Sequence, residues 1–235
     1  MKRALLGLRS VLTDVLTNLK VIPYRRGMDE FRDIRRLLPH EHIDMIFDVG
    51  ANVGDTALAF RRHFASATIH CFEPNSELAP HLNGLDANLN VHSVALSSRI
   101  GESGFDKSGS GSDVYSLTDD DKSGEIVALD TVDNFCKTRS IDHIHYLKID
   151  TEGHDLEVLK GAAAMLADFR IDLVQAEVSM NPDNKLHVSF FEVANHLEPL
   201  GYRLFGVYEQ MNEFPTKKPN LRRSNVLYLS PKIIA

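Results

Sequence analysis

From Met45 onward, short apolar segments alternate with segments in which apolar residues recur at helical spacing. Apolar runs of roughly four to eight residues predict strands, and a spacing of three or four residues predicts amphipathic helices. The predicted strands are MIFDVG, ATIHCFEP, VHSVALS, IHYLKID, IDLVQAEV, RLFGVYE and NVLYLSP. The predicted helices are DTALAFRRHF, NSELAPHLNGLDANL, TVDNFCKTRS, DLEVLKGAAAMLAD and SFFEVANHLEPLGY.

The order of these elements predicts an α/β fold. Repeated strand–helix–strand units place the strands parallel in one sheet, with helices on both of its faces. The last two predicted strands follow each other without a helix, which indicates an antiparallel edge. We therefore predict a doubly wound, Rossmann-like, mostly parallel sheet, in which ligands bind outside the carboxyl ends of the strands.

The segment 101–125 interrupts this alternation. It is rich in Gly, Ser and Asp and poor in apolar residues, so it is predicted to be an irregular loop. A loop of that length inside a compact domain is commonly a lid or a binding loop. Two interpretations stay open: a loop that covers the substrate, and a flexible surface excursion.

The first 40 residues differ from the rest in charge and in pattern. They carry nine Lys or Arg against four Asp or Glu, although the whole chain has a net charge of −7. We predict that residues 1–40 form a basic amphipathic helical extension and that residues 41–235 form the α/β domain. The extension is interpreted as a cap on the domain or, alternatively, as a helix that contacts a membrane surface or a partner. Its helical spacing is carried by Leu5, Leu8, Leu12, Val15, Leu16 and Leu19.

Composition narrows the class of protein. A length of 235 residues and an apolar content of 43% suit one globular domain of ordinary size. The acidic balance argues against a nucleic-acid-binding protein, because phosphate contacts need clustered Lys and Arg. The sequence has no apolar run of the roughly 18 residues that a membrane span needs. Cys71 and Cys136 form no disulfide framework, and the start lacks a signal cleavage pattern, so we expect a cytoplasmic protein.

The segment FDVGANVGDT places two glycines and one asparagine between the first strand and the first helix. Gly50 is predicted to turn the chain after the strand, and Gly54 to lie in the first turn of the helix. Such a loop suits a ligand that approaches the backbone, because the helix start offers unpaired N–H groups. A side chain at Gly50 is therefore expected to block the ligand without unfolding the protein. The spacing matches neither the G-x-G-x-x-G pattern of nicotinamide sites nor a P-loop.

Glu73 is predicted at the carboxyl end of the second strand, about 20 residues beyond the glycines, where a carboxylate can accept hydrogen bonds from ribose hydroxyls. A glycine loop with this carboxylate, and without a site for several phosphates, indicates an adenosine-containing ligand. S-adenosylmethionine matches that description best. The alternative is that Gly50 and Gly54 only serve the turn and that Glu73 only precedes a helix.

Six motifs follow one another in a fixed order over nearly the whole chain from Met45: FDVGANVGDT, CFEPN, VALS, IVALDTVDNF, YLKIDTEGHDLEVLKGA and VQAEVS. In this order they resemble the motifs of the FkbM family of S-adenosylmethionine-dependent methyltransferases. The resemblance implies a sheet of the class I methyltransferase type. It also implies methyl transfer to oxygen, on a hydroxyl of a sugar, a glycolipid or a polyketide-type metabolite.

The same resemblance implies which residues bind the cofactor. A small-molecule or glycan acceptor is then the expected partner, and the sequence has no motif that identifies it further or that indicates an oligomeric state. The implied cofactor-binding residues are Asp48, Gly50, Ala51, Asn52 and Gly54 of the first motif, Glu73 of CFEPN, Ala95 of VALS, and Asp150 after the fourth strand.

The predicted fourth strand ends in YLKIDTEGHD, with Asp150, Glu152 and His154 at alternate positions. If the chain stays extended through Thr151, the two carboxylates point to the same side of the strand. Methyl transfer to oxygen needs a positioned hydroxyl and usually a base. We assign Asp150 to the cofactor side and the methyl-transfer site, Glu152 to orientation or deprotonation of the acceptor, and His154 to the role of alternative base. Glu177, after the fifth strand, is assigned to the substrate or, alternatively, to a structural role.

Other interpretations of this segment stay open. Thr151, Glu152 or Asp155 can cap the following helix, and His154 can be an exposed residue of its first turn. Lys148 can pair with a carboxylate within the sheet. A cluster of Asp, Glu and His can also bind a divalent cation, although we assign no metal ligand.

Two other functions compete with that of an O-methyltransferase. The first is a binding module of the same fold that holds the cofactor without catalysis. The second is an NAD-dependent dehydrogenase, which the glycine spacing disfavours. The intact set of Gly50, Gly54, Glu73 and Asp150 favours the enzyme, because a degenerate copy would tend to lose it.

Overall fold

The computed structural model describes residues 24–106, 116–118 and 125–235. Within these residues, seven strands form one central sheet in the order β3-β2-β1-β8-β9-β11-β10, and four form a smaller sheet. The strands are β1 (Met45–Val49), β2 (Thr68–Phe72), β3 (Leu89–His92), β4 (Ala95–Leu96), β5 (Gly101–Asp106), β6 (Ser116–Thr118), β7 (Glu125–Asp130), β8 (Ile144–Ile149), β9 (Ile171–Ser179), β10 (Arg203–Asn212) and β11 (Leu221–Leu229).

The central sheet is parallel over most of its width. β1 pairs in parallel with β2 and with β8, β2 pairs with β3, and β8 pairs with β9. β11 runs antiparallel to both β9 and β10. The predicted doubly wound sheet with an antiparallel edge is therefore confirmed. The strand order reverses between β1 and β8, and sheets of this type bind ligands at that point.

Helices pack on both faces of the central sheet. Side chains alternate between the faces, so that Phe47 and Val49 of β1 enter one core while Ile46 enters the other. The helices are α1 (Glu30–Leu37), α2 (Asp55–His63), α3 (Ala79–Leu85), α4 (Val132–Arg139), α5 (Asp155–Lys160), α6 (Ala163–Ala167), α7 (Phe190–Leu197) and α8 (Pro231–Ile234). Most buried apolar residues of α4 to α7 belong to the first core, and most of those of α1 to α3 belong to the second.

α1 packs directly on the domain. Phe31 and Ile34 are buried in the second core, and the Tyr208 hydroxyl donates to the Asp33 carboxylate at 3.1 Å. Residues 1–23, which include the predicted basic amphipathic helix, lie outside the described residues, so the extension and its boundary at residue 40 stay a prediction. Among the helices that the structure describes, none is long and apolar enough to cross a membrane.

The smaller sheet has the strand order β4-β7-β5-β6. The prediction of an irregular segment 101–125 is therefore wrong where β5 and β6 lie, while residues 107–115 and 119–124 of it are outside the described parts of the chain. β5 pairs antiparallel with β7 from Gly101–Leu129 to Phe105–Glu125, and Phe105 is buried, as is Val127. Pairing with β7 and burial of the Phe105 ring thus stabilise β5 as a strand, although its Gly- and Ser-rich composition predicts a loop.

Two other predicted elements are divided. The predicted strand VHSVALS contributes to both sheets, because β3 ends at His92 and β4 begins at Ala95. The predicted helix DLEVLKGAAAMLAD consists of two short helices, α5 and α6. The division of the strand matters for function, since it carries Ala95 from the edge of the central sheet into a separate wall.

Candidate active site

A cleft opens at the carboxyl ends of β1, β2 and β8, where the strand order reverses. Its empty space, including the mouth open to solvent, is about 680 Å³. Polar and apolar side chains converge on this space, as is typical of small-molecule sites. The cleft is lined by Val49, Gly50, Asn52, Phe72, Glu73, Pro74, Ala95, Leu96, Phe105, Asp150, Thr151, Glu152 and His154.

The structure brings most of the sequence-assigned residues together in this cleft. Those that line it are Gly50, Asn52, Glu73, Ala95, Asp150, Glu152 and His154. Four others, Asp48, Ala51, Gly54 and Glu177, are not among the residues that line it. Ala51 is buried in the second core, and Gly54 is the N-cap of α2, one position before the helix that it was expected to enter.

Asp48 lies beneath the cleft in a buried ion pair. Its side chain is fully buried, and Lys148 Nζ is 3.1 Å from Asp48 Oδ1 and 3.4 Å from Asp150 Oδ2. Lys148 also donates to the carbonyl oxygen of Gly50 at 3.4 Å. Burial favours the neutral amine, but the two carboxylates outweigh it and raise the pKa of Lys148. Asp48 and Lys148 therefore support the floor of the cleft from below.

Two backbone N–H groups, one from the loop after β1 and one from the segment after β2, hold Glu73. Its Oε2 accepts from the N–H of Asn52 at 2.8 Å, and its Oε1 accepts from the N–H of Asn75 at 2.9 Å. The residue is 5% exposed, and burial raises the pKa of its carboxyl while the two N–H donors oppose that rise. Because each carboxylate oxygen has a second lone pair, Glu73 can still accept hydrogen bonds from a ligand.

Asp150, Glu152 and His154 reach the cleft on a turn. Glu152 has a φ of +52° and Gly153 a φ of +100°, so the chain turns at Glu152, directly after Thr151. Both carboxylates nevertheless line the cleft. Burial raises the pKa of the Glu152 carboxyl, and the charge of Asp150 adds to the rise. His154 is half-buried at the N-cap of α5, and its Nε2 lies 2.9 Å from the hydroxyl oxygen of Ser97.

Glu177 lies behind Glu152, near the end of β9, and is 4% exposed. His187 stands between the two carboxylates, with its Nε2 2.7 Å from Glu177 Oε2 and 3.5 Å from Glu152 Oε2. The other oxygen of Glu177 contacts the guanidinium of Arg223. Glu177 is thus connected to the cleft through His187 and Glu152.

Ligand atoms of Glu152, Glu177 and His187 lie within 4.8 Å of one another, a spacing that can hold a metal ion. Arg223 already gives Glu177 a positively charged partner, so the protein balances this buried carboxylate with its own side chain. The donor set therefore suits a hydrogen-bonded network as well as a cation.

Sequence reasoning misses two residues of this region. Phe105 belongs to β5, whose composition resembles that of a loop. His187 lies between β9 and α7, in the segment NPDNKLHVSF, which has no motif and no clear periodicity. A lone histidine in such a segment is indistinguishable from a surface residue until the tertiary structure places it beside Glu177.

Comparisons with known proteins place the chain in a family and a fold class. Residues 48–204 match the family described as Methyltransferase FkbM domain. The sequence is similar to that of hexuronic acid methyltransferase AglP from Haloferax volcanii, with 26% identity over 157 residues that cover 64% of this chain and 64% of AglP. The chain therefore spans less than two thirds of that relative.

Solved structures share the fold. The methyltransferase FkbM from Methylobacillus flagellatus KT has a TM-score of 0.54 at 14% identity, over 79% of this chain and 43% of that protein. The METTL16 MTase domain has a TM-score of 0.50 at 11% identity, over 86% of this chain and 66% of that chain. The fold is that of class I methyltransferases. Together with the family match, which runs from the end of β1 to the start of β10 and includes the three carboxylates that line the cleft, this shows that the chain belongs to the methyltransferase FkbM domain family.

Proposed function

We propose that this protein transfers a methyl group from S-adenosylmethionine to a hydroxyl group of a sugar, a glycolipid or a polyketide-type metabolite. The observation that carries the proposal is the shared cleft, in which Glu73 stands on one side and Asp150 and Glu152 stand on the other. A carboxylate suited to ribose and a carboxylate suited to an acceptor hydroxyl thus face one space. AglP is described as a hexuronic acid methyltransferase, which supports a sugar acceptor.

The residues of the cleft fit S-adenosylmethionine in their chemistry. Glu73 offers acceptors for the ribose hydroxyls, and Asp150, whose side chain is 34% exposed, offers a negative charge for the amino group. Phe72, Leu96 and Phe105 provide an apolar wall for the adenine ring. When bound, the cofactor supplies an electrophilic methyl group.

Glu152 acts on the acceptor in this proposal. Its carboxylate orients the hydroxyl group and takes the hydroxyl proton on a carboxylate oxygen as the oxygen is methylated. Burial raises the pKa of this carboxyl, which strengthens it as a base near neutral pH. His154 is the alternative base, because its imidazole also lines the cleft.

The test has two parts, binding and transfer. Calorimetry with S-adenosylmethionine, its demethylated product and NAD should show that the first two bind and that NAD does not. At 100-fold excess over Kd, a true ligand adds about 2.7 kcal/mol to the stability. Labelled cofactor is then offered with hexuronic acids, neutral sugars, glycolipids and polyketide alcohols. Binding of NAD alone would indicate a dehydrogenase, and cofactor binding without transfer to any acceptor would indicate a binding module.

A further inference from the structure

We propose that His187 and Glu177 form a buried imidazole–carboxylate pair that positions Glu152 against the acceptor. This inference rests on the proposed function, because it explains what holds Glu152, the carboxylate proposed to orient and deprotonate the acceptor hydroxyl. In this arrangement Glu152 touches the substrate, while His187 and Glu177 are positioning residues that act through it.

The contacts run in one line from the interior to the cleft. Glu177, 4% exposed, accepts from His187 Nε2 at 2.7 Å, and the same nitrogen stands 3.5 Å from Glu152 Oε2. The His187 side chain is itself 4% exposed, so this pair is shielded from water that would weaken its interactions. Arg223 contacts the second oxygen of Glu177 and holds that carboxylate in place.

Neighbouring hydrogen bonds decide which ring nitrogen of His187 carries the proton. The N–H of Leu186 donates to Asn184 Oδ1 at 3.2 Å, which turns the Asn184 amide nitrogen toward His187 Nδ1 at 3.0 Å. Nδ1 is therefore an acceptor, and in the neutral ring the proton is on Nε2. Burial lowers the pKa of His187, which favours this neutral form. The N–H of the ring consequently points toward the two carboxylates.

Backbone packing independently fixes the turn at Glu152 and Gly153 against the segment that carries Leu186 and His187. A Cβ atom on Gly153 would lie 2.1 Å from the carbonyl oxygen of Leu186, so these two segments touch at their backbones. Glu152, directly before this glycine, has a φ of +52°, which is rare for a residue with a side chain. Residues held in such conformations persist only where the surrounding structure enforces them. The close packing of the two loops is what places Glu152 within reach of His187.

Charged groups from several elements face Glu152 and His187. Lys148 of β8, Asp150 of the turn after it and Arg223 of β11 act on Glu152. Asp150, Asp155 of α5 and Arg222 of β11 act on His187, which also contacts Glu177 of β9. A cation at Glu152, Glu177 and His187 would have to displace the proton from Nε2 and compete with the guanidinium on Glu177. The N–H of His187 and the guanidinium of Arg223 already occupy the places that a cation would take, so we assign the cluster to positioning.

Three variants of the full chain test this proposal. His187→Leu removes the N–H donor, His187→Gln keeps a donor that can reach Glu177, and Glu177→Gln removes the charge behind the ring. The matched control is His143→Leu, because His143 Nε2 forms a similar pair with Asp172 Oδ2 at 2.6 Å, at the opposite end of β8 and β9. Unfolding curves first establish which variants are folded, and if His187→Leu is not, the other two carry the test.

The first readout does not depend on the acceptor. In protein labelled with ¹³C at the glutamate carboxyl, the signal of Glu152 is identified by its loss in Glu152→Gln and is titrated with pH. Losing the His187 donor should raise the pKa of Glu152, and His187→Gln should restore part of the wild-type value, whereas His143→Leu should leave it unchanged. A folded His187→Leu protein with an unaltered Glu152 titration overturns the proposal.

The second readout is turnover with an accepted substrate. Misplacing a reacting group by about 1 Å can cost about 100-fold, so we expect His187→Leu to lower kcat about tenfold to 100-fold with KM for S-adenosylmethionine unchanged. The acid limb of the kcat–pH profile should move to higher pH. Equal kcat in wild type and His187→Leu overturns the proposal, while a wild type that transfers no methyl group overturns the proposed function and leaves the titration as the test. Saturable Mg²⁺ or Mn²⁺ binding that is lost in His187→Leu would replace positioning by a metal site.

Discussion

Gly50 and Asp150 meet backbone to backbone: a Cβ atom on Gly50 would lie 1.9 Å from the carbonyl oxygen of Asp150. The φ of Gly50 is +78°, a conformation that side chains disfavour. Its N–H donates to the carbonyl of Phe72 at 3.0 Å, and the N–H of Asp150 donates to that of Val49 at 3.0 Å. The glycine is therefore required by the packing of the loop after β1 on the end of β8. This corrects the hypothesis that a side chain at Gly50 would only block the ligand.

Gly50→Ala should destabilise the whole fold. Strain at a positive φ costs about 1–3 kcal/mol, and the contact with Asp150 forces the two strand ends apart, so we expect a loss of at least about 2 kcal/mol in chemical denaturation. Gly84→Ala in α3 is the control, because a Cβ there meets no described atom within 4 Å. It should be neutral or stabilise by up to about 1 kcal/mol. An alanine at position 50 that unfolds like wild type would contradict the packing argument.

Glu73→Ala should weaken the binding of S-adenosylmethionine at least tenfold, or about 1.4 kcal/mol, the scale of a hydrogen bond to a charged group. The loss has two sources, the ribose contact and the anchoring of the Asn52 and Asn75 backbone groups. Calorimetry measures the affinity, with Glu77→Ala, an exposed position in the same loop, as the control. Unchanged affinity in the Glu73 variant would mean that the ribose lies elsewhere.

Glu152→Gln should separate catalysis from cofactor binding. A general base contributes about 10²- to 10⁴-fold, so turnover should fall by that factor, equivalent to roughly 3–5 kcal/mol of barrier, with cofactor affinity nearly intact. Asp150→Asn should lower both turnover and the affinity for the cofactor. Calorimetric affinity and turnover, measured on each variant, distinguish the two roles. Near-normal turnover in Glu152→Gln would transfer the role of base to His154, and lost cofactor binding would place Glu152 in the cofactor site.

Stability should depend on pH through a histidine pair in which His70 is buried and His92 is half-buried. His70 Nδ1 lies 2.9 Å from His92 Nε2, the rings stack, and aromatic side chains including Phe47 and Phe135 surround them. Burial lowers the pKa of both histidines to about 4. In the unfolded chain they titrate near about 6.5, so the unfolded state binds more protons between about pH 4 and 6.5. The stabilisation is complete above that window and is lost progressively as the pH falls through it.

Unfolding at pH 7.5 and 4.5 tests this pair. After a discount for solvent screening, we expect the free energy of unfolding of wild type to fall by about 1–2 kcal/mol from pH 7.5 to pH 4.5 because of the histidine pair. In His70→Phe the fall should be smaller. Wild type and His70→Phe must be compared because Asp155 also titrates in this range, since burial raises its pKa to about 6. In both proteins Asp155 makes the fold more stable as the pH falls, which opposes the effect of the histidines. His81→Phe, an exposed control in α3, should behave like wild type. Equal pH dependence in wild type and His70→Phe would rule out the pair as its source.

The central sheet and the ends of its strands could be predicted from the sequence, because buried parallel strands appear as apolar runs with a polar residue at the carboxyl end. Glu73 and Asp150 are such residues, and both line the cleft. Phe105 and His187 could not be found in this way. Each reaches the region through contacts between distant segments, and a single chain has no periodic signal for the approach of Gly153 to the loop that carries His187.

The cleft has walls of different origin, since Glu73, Asp150 and Glu152 follow strands of the central sheet while Ala95, Leu96 and Phe105 belong to the smaller one. The two sheets are held in register by separate sets of strand pairs. Substitutions in β4 or β5 can therefore alter one wall of the cleft without touching the strand pairs that hold Glu73, Asp150 and Glu152 in place.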